Sequence, residues 1–285
     1  MTIDTLNYLE LEVKSIVTKT LDEVRDKSFS DYVLLLAHAG YQVENENTFL
    51  SPYVLQSRLE VYQDNTRNRF LVTYLNNFRV QLQDHIFADN NYREMDYNIQ
   101  MMIYSQIWES HLFLKILRRI ALIINSKPYE WRIQFEKLNE KGKMIQVSKA
   151  KFIGNLILNP LRDAYPEFAN FIRNIYDSQL RNDFAHASYS ISIDENVIES
   201  QDSEQYSSKR RLDLYDWEEM FFKTALFCYH LSYDLYKRLN SFIEEYPDKM
   251  KILIKWPSFK HPGVILDKYI ELRDSGRGVE FSFCN

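Results

Sequence analysis

Leu180-Arg181-Asn182-Asp183-Phe184-Ala185-His186-Ala187-Ser188-Tyr189 is the stretch on which the reading of this 285-residue chain turns. Before it, Phe168, Ile172, Ile175, Leu180 and Phe184 fall near one face of a helix that Pro166 opens and that reaches about Phe184. After it, Ser188 to Ile193 alternates polar and apolar residues, and Asp194-Glu195-Asn196 supplies a turn before Val197-Ile198, which predicts a β-hairpin. The stretch is a junction between helix and extended chain. It carries a permanently charged Arg, an Asn and a titratable His within six positions.

Outward from the junction, helical periodicity dominates. Tyr53 to Phe87 reads as one long or two joined helices, and Asn90 and Asn91 interrupt it. A second long helix is expected from about Tyr92 to Asn125 on Ile99, Met102, Ile103, Ile107, Leu114, Leu117, Ala121 and Ile124, closed by Pro128. Glu199, Asp202 and Glu204 followed by Lys209-Arg210-Arg211 read as a mobile loop. Asp216 and Glu219 form a capping-box pattern opening a last long helix, which Pro247 ends. Beyond it lie a β-like run (Ile252 to Ile254), a break at Trp256-Pro257 and a mixed stretch ending in Val279 to Phe283. The expectation is a mainly α chain in three parts. They are an N-terminal helical region (1–90), a helical core with a small β-hairpin after the motif helix (91–246), and a short mixed C-terminal extension (247–285).

Composition narrows the classes. Six glycines are far fewer than the roughly 20 that average usage gives, which disfavours turn-rich folds and glycine-lined phosphate loops. A net charge of −5 does not advertise a nucleic-acid binder, although local charge matters more than the sum. Cys228 and Cys284 lie in no metal or redox spacing, which suits a reducing compartment. Neither a secretory leader nor a membrane-length apolar run is visible, so the chain reads as soluble and cytoplasmic, with no membrane partner. One segment stands apart: Lys137 to Lys151 holds five Lys against one Glu, either a solvated connector or a contact for a phosphate backbone.

An Arg followed four to six positions later by His carries little information alone. Six His and 17 Arg in this chain give about one match by chance, and Arg79 with His85 is such a match inside an uninterrupted amphipathic pattern. The site at Arg181 is sharper, with polar Asn182 after the Arg, small Ala185 and Ala187 around the His, and the helix-to-hairpin junction. On these residues the chain resembles the HEPN superfamily over roughly residues 92–246. That resemblance implies a HEPN-like helical bundle, a homodimer in which two motifs line one cleft, and RNA cleavage without metal or cofactor. Members of this kind occur in toxin–antitoxin and phage-defence systems, which adds an inhibitor or antitoxin protein as an expected partner.

The chemistry follows from the residue types. RNA carries its own nucleophile, the 2′-hydroxyl. His186 would take that proton or protonate the leaving 5′-oxygen, Arg181 would hold the pentacoordinate phosphorane, and Asn182 would orient phosphate or imidazole. Products would be a 2′,3′-cyclic phosphate and a 5′-hydroxyl. Helix geometry adds a demand: at about 100° per residue, Arg181 and His186 lie about 140° apart and Asn182 and His186 about 40° apart. The helix must therefore end or distort before His186, or two chains must share a substrate. Glu109, with His111 two positions on, would reach Arg181 if its helix packs against the motif, and Asp183 and Tyr189 are supporting candidates. The alternative is a non-catalytic HEPN-like module that dimerises or binds a ligand or partner, with Arg181 capping a helix end and His186 a satisfied histidine.

Overall fold

The structure, a computed structural model, describes residues 1–42, 51–56, 58–84, 90–138, 144–201, 209–246, 250–274 and 279–284. Helix α1 (Ile3–Lys27) buries Leu6, Leu9, Val13, Val17, Leu21 and Val24, a spacing of three and four that makes one apolar stripe. Ser28 caps the next helix, α2 (Phe29–Leu36), by accepting from the Asp31 N–H at 3.3 Å. A two-residue pair, β1 (Gly40–Tyr41) with β2 (Tyr53–Val54), leads to α3 (Arg58–Gln83). Then come α4 (Asn90–Glu109) and α5 (His111–Ile124), and a ribbon of β3 (Glu136–Leu138) and β4 (Met144–Gln146). Helix α6 (Lys149–Phe152) runs through a π-helical turn (Ile153–Leu158) into α7 (Asn159–Ala164). Two further helices follow, α8 (Pro166–Ile175) and α9 (Ser178–Ala185). Strands β5 (Tyr189–Ser192), β6 (Val197–Gln201) and β7 (Lys209–Asp213) form an antiparallel sheet in that order. Helix α10 (Leu214–Glu245) precedes β8 (Ile252–Pro257), β9 (Ile265–Asp274) and β10 (Val279–Phe283), a three-stranded antiparallel sheet with β9 in the middle.

The chain is mainly helical, as expected, and the hairpin after the motif is present as β5–β6, extended by β7. The strand pairs β1–β2 and β3–β4 add small antiparallel sheets that were not expected from the sequence. Several boundaries differ. The helix expected from Tyr92 to Asn125 is two, parted at Ser110, whose extended backbone and side chain cap α5 by accepting from Phe113 N–H at 3.2 Å. The helix expected from Pro166 to Phe184 is likewise two, because Asp177 caps α9. Lys209-Arg210-Arg211 is not a loop but part of β7, paired with β6 from Val197↔Asp213 to Gln201↔Lys209. The last helix starts on Asp213, which accepts from Tyr215 N–H at 2.7 Å, three residues ahead of the expected cap. His85, Asp202, Glu204 and Pro247 lie outside the described residues.

The core centres on α10. Trp217, Phe221, Phe222, Ala225, Leu226, Phe227, Leu231 and Leu235 are buried on several sides of it, and each fully buried Phe contributes about 1.5–3 kcal/mol. α1 and α4 pack along it, with α8, α2 and α3 on its remaining sides. Edge-to-face contacts run from Tyr104 to Trp217 (5.3 Å) and from Phe184 to Trp217 (5.0 Å), which anchors the motif helix to this core. One buried cluster takes residues from α1 through β9, so residues 1–90 contribute to the same core as 91–246.

Candidate functional site

The motif helix is placed by a set of polar clamps. Asp177 Oδ1 accepts from the N–H groups of Gln179 (2.9 Å) and Leu180 (3.0 Å), and its Oδ2 accepts from Arg210 Nη2 of β7 at 2.5 Å. Burial acts to raise the Asp177 carboxyl, but Arg210 and the two N–H donors outweigh it and hold the group below the ordinary carboxylate range. The Asp177 N–H donates to the Tyr104 hydroxyl at 2.9 Å, which itself donates to the Ile175 carbonyl at 3.2 Å. Tyr104 belongs to α4, so the break between α8 and α9 is tied to that helix.

Within α9 the motif divides between two faces. Arg181 is half-buried and turned toward the end of α4, where its Nη1 pairs with Glu109; its Nη2 donates to Asn182 Oδ1 at 2.5 Å. Its Nε is buried without a hydrogen-bond partner among the described residues. Burial pushes the guanidinium down from its usual value, with Tyr104 acting in the opposite direction. Asn182 and His186 are both exposed. The helix ends at Ala185, yet the His186 N–H still bonds the Asn182 carbonyl at 2.9 Å. The imidazole therefore keeps the helical phase, on the Asn182 side and away from Arg181.

The remaining candidates serve the scaffold. Asp183 is buried, 5% exposed, and its Oδ1 accepts from Gln179 at 3.5 Å; burial outweighs Ser200 of β6 and Arg210 and holds its carboxyl above the ordinary range. Tyr189 donates from its hydroxyl to Asn98 Oδ1 of α4 at 2.8 Å and packs edge-on against Phe184 at 5.2 Å. Arg79, from the second Arg–His match, is committed to an ion pair with Glu10.

Arg181 and Glu109 line a cleft of about 980 Å³ that His186 and Asn182 do not line. Its walls come from β1, the start of α5, the segment Trp131–Glu136, and β4 with the start of α6. His111 and Lys115 stand on α5 four residues apart, hence on one face. Arg132 lies over the Tyr41 ring at 4.4 Å, and Lys149 Nζ lies 3.7 Å from the Phe135 ring centroid. His111 stacks on Phe135 at 4.3 Å and 14°. Arg132, Lys115, Lys149 and Arg181 thus face Glu109 and Glu136, a cationic excess in a chain of net charge −5. Sequence reasoning reached Glu109, His111 and the lysine-rich run, but not Lys115 or Arg132. The four-residue step from His111 to Lys115 was the available signal.

Among the described residues, no group of three or more His, Cys, Asp or Glu side chains could hold a metal ion, and no helix is long and apolar enough to cross a membrane. Comparison with protein-family models, with curated proteins and with solved structures gives no match to this chain.

Proposed function

We propose that the chain is a metal-independent RNA endonuclease that acts as a homodimer, with Arg181, Asn182 and His186 as its reacting constellation. The observation that supports this reading is the orientation of the motif. Asn182 and His186 are exposed and do not line the cleft, while Arg181, bonded to Asn182 through Nη2, turns its Nη1 to Glu109 and lines the cation-rich cleft. An exposed His186, with Asn182 in phase beside it and held by its own Arg181 at 2.5 Å, can meet a phosphate that the Arg181 of a second copy holds, one of the two arrangements that the helical phase allows. In that arrangement His186 transfers the 2′-hydroxyl or leaving-group proton, and Arg181 neutralises the phosphorane. Glu109 acts as a positioning residue that fixes the guanidinium until phosphate competes for it.

A second reading has its own observation. His186 is absent from the lining of the Arg181 cleft, which suits a HEPN-like module that binds a ligand or partner without cleaving it. One assay separates the two. The purified chain, incubated with mixed RNAs in EDTA, is expected to yield 2′,3′-cyclic phosphate ends, and Arg181→Ala and His186→Ala are each expected to lose activity by 100-fold or more, about the size of one general acid–base or charge-stabilising group. Intact RNA with wild-type protein would give the result to the module reading, and full cleavage by His186→Ala would remove the Arg181–His186 constellation from the reaction.

A further inference from the structure

Lys149 is the least comfortable residue in the cleft. Its ammonium is buried and has no hydrogen-bond partner among the described residues, its neighbour being the face of Phe135. An unpaired buried charge is costly, and a cation–π contact offsets only part of that cost. Burial, reinforced by the charge of Lys115, pushes the group down to about 8. The fold nevertheless places it with care. Ribbon β3–β4 carries the chain back toward α5, the Val147 N–H donates to the Phe135 carbonyl at 2.7 Å, and Ser148 caps α6 by accepting from the Lys151 N–H at 3.3 Å. These bonds fix the backbone of Lys149 at the cleft wall, where its ammonium lies against Phe135 beside the cations Lys115, Arg132 and Arg181.

We propose that the cleft is the track for the phosphate backbone of the RNA strand, with Lys149 as its anchoring phosphate contact and Lys115, Arg132 and Arg181 set around it. The inference rests on the ribonuclease reading for its substrate class. Its physical basis is separate: four cations from α5, the segment after Tyr129, α6 and α9 converge on one open cleft, against Glu109 and Glu136. A volume of about 980 Å³ is large for a single phosphate and suits several linked ones. Arg132 over Tyr41 offers a stacking surface for a base beside the backbone.

The test is fluorescence anisotropy of a short labelled uridine oligoribonucleotide with the full chain in EDTA, comparing wild type, Lys149→Met and Lys151→Met. Lys151 is exposed and lies off the cleft lining. Lys149→Met is expected to weaken binding about tenfold and to lower the slope of log K against log salt by about 0.7, the value for one phosphate contact on a single strand. Lys151→Met is expected to bind like wild type. A melting temperature for Lys149→Met equal to or above that of wild type shows that the lysine serves binding rather than packing. Equal binding by wild type and Lys149→Met overturns the track, as does pyrophosphate binding as tightly as the oligonucleotide, which would make this a site for free phosphate. If the oligonucleotide binds through Lys149 but is never cut, the track stands and the nuclease reading falls. If it is cut as fast and with the same KM by Lys149→Met, the reverse holds.

Discussion

Ala187 has φ 52°, the left-handed region in which a Cβ crowds the backbone. It closes α9: the Ser188 N–H bonds the Asp183 carbonyl at 2.8 Å and the Ala187 N–H the Phe184 carbonyl at 3.3 Å, a Schellman arrangement that ordinarily selects Gly. His38 and Ser126 end α2 and α5 the same way, at φ 51° and 52°. The scarcity of glycine was plain in the sequence, but its consequence was not. This chain still makes left-handed caps, and makes them from residues that strain there. Ala187→Gly is therefore expected to raise stability by about 0.5–1 kcal/mol, read as a higher urea midpoint at unchanged slope. A lower midpoint would mean that the methyl contributes packing that outweighs the relieved strain. The Arg181–His186 phase was also legible, because it needs only the helical pitch. What stayed hidden was that ending the helix at Ala185 does not alter that phase, since His186 still completes a bond to Asn182.

At the scale of elements, periodicity located helices but passed over the breaks between them. Leu112, Phe113, Leu114, Ile116 and Leu117 continue an apolar pattern from α4 with no Gly or Pro to interrupt it, so Ser110 reads as one more polar position. Its role as a cap lies in a hydrogen bond that its hydroxyl accepts from Phe113 N–H, which a hydrophobicity pattern cannot register. The break matters for the site. On one continuous helix Glu109 and His111 would point about 160° apart, and only the kink at Ser110 lets both line the Arg181 cleft. Ser110→Ala is expected to cost about 1 kcal/mol in urea denaturation, the usual value of an N-cap. It should also weaken oligonucleotide binding more than an equally destabilising change remote from the cleft. Unchanged stability would remove the cap from this account. Strand β7 was missed for a related reason. Lys209-Arg210-Arg211 is charged throughout, and its pairing depends on partners for those charges: Asp177 for Arg210, and Glu195 and Glu199 for Arg211.

Across the whole molecule, α1 is held to α10 by an apolar stripe and by polar contacts along it, among them Arg238 with Asp22 at 2.7 Å, Lys223 with Glu12 at 3.2 Å, and a cluster at Glu10. Glu10 of α1 receives Lys14 at 3.0 Å, Arg79 of α3, and His230 Nε2 of α10 at 3.1 Å, with Asp234 nearby. Burial raises the Glu10 carboxyl, yet the hydrogen bonds and charges of Arg79 and Lys14 outweigh it, leaving the group below its ordinary value. Burial lowers the His230 imidazole, and Lys14 lowers it further against the pull of Glu10. Both groups thus bind fewer protons folded than unfolded, so each contributes stability that is lost as pH falls. For His230 that loss begins below its ordinary value of 6.5, and for Glu10 it follows below 4.5. The seam should loosen in acid, His230 first. Between about pH 7.5 and about pH 5, wild type is expected to lose more stability than His230→Gln, whose amide can donate to Glu10 without titrating, read as a larger fall in the urea midpoint. Amide exchange along Leu6 to Val24 should quicken over the same range in wild type and not in the variant. Superimposable pH profiles for the two proteins would show that the histidine is packed there without being coupled to the joint between the first helix and the core.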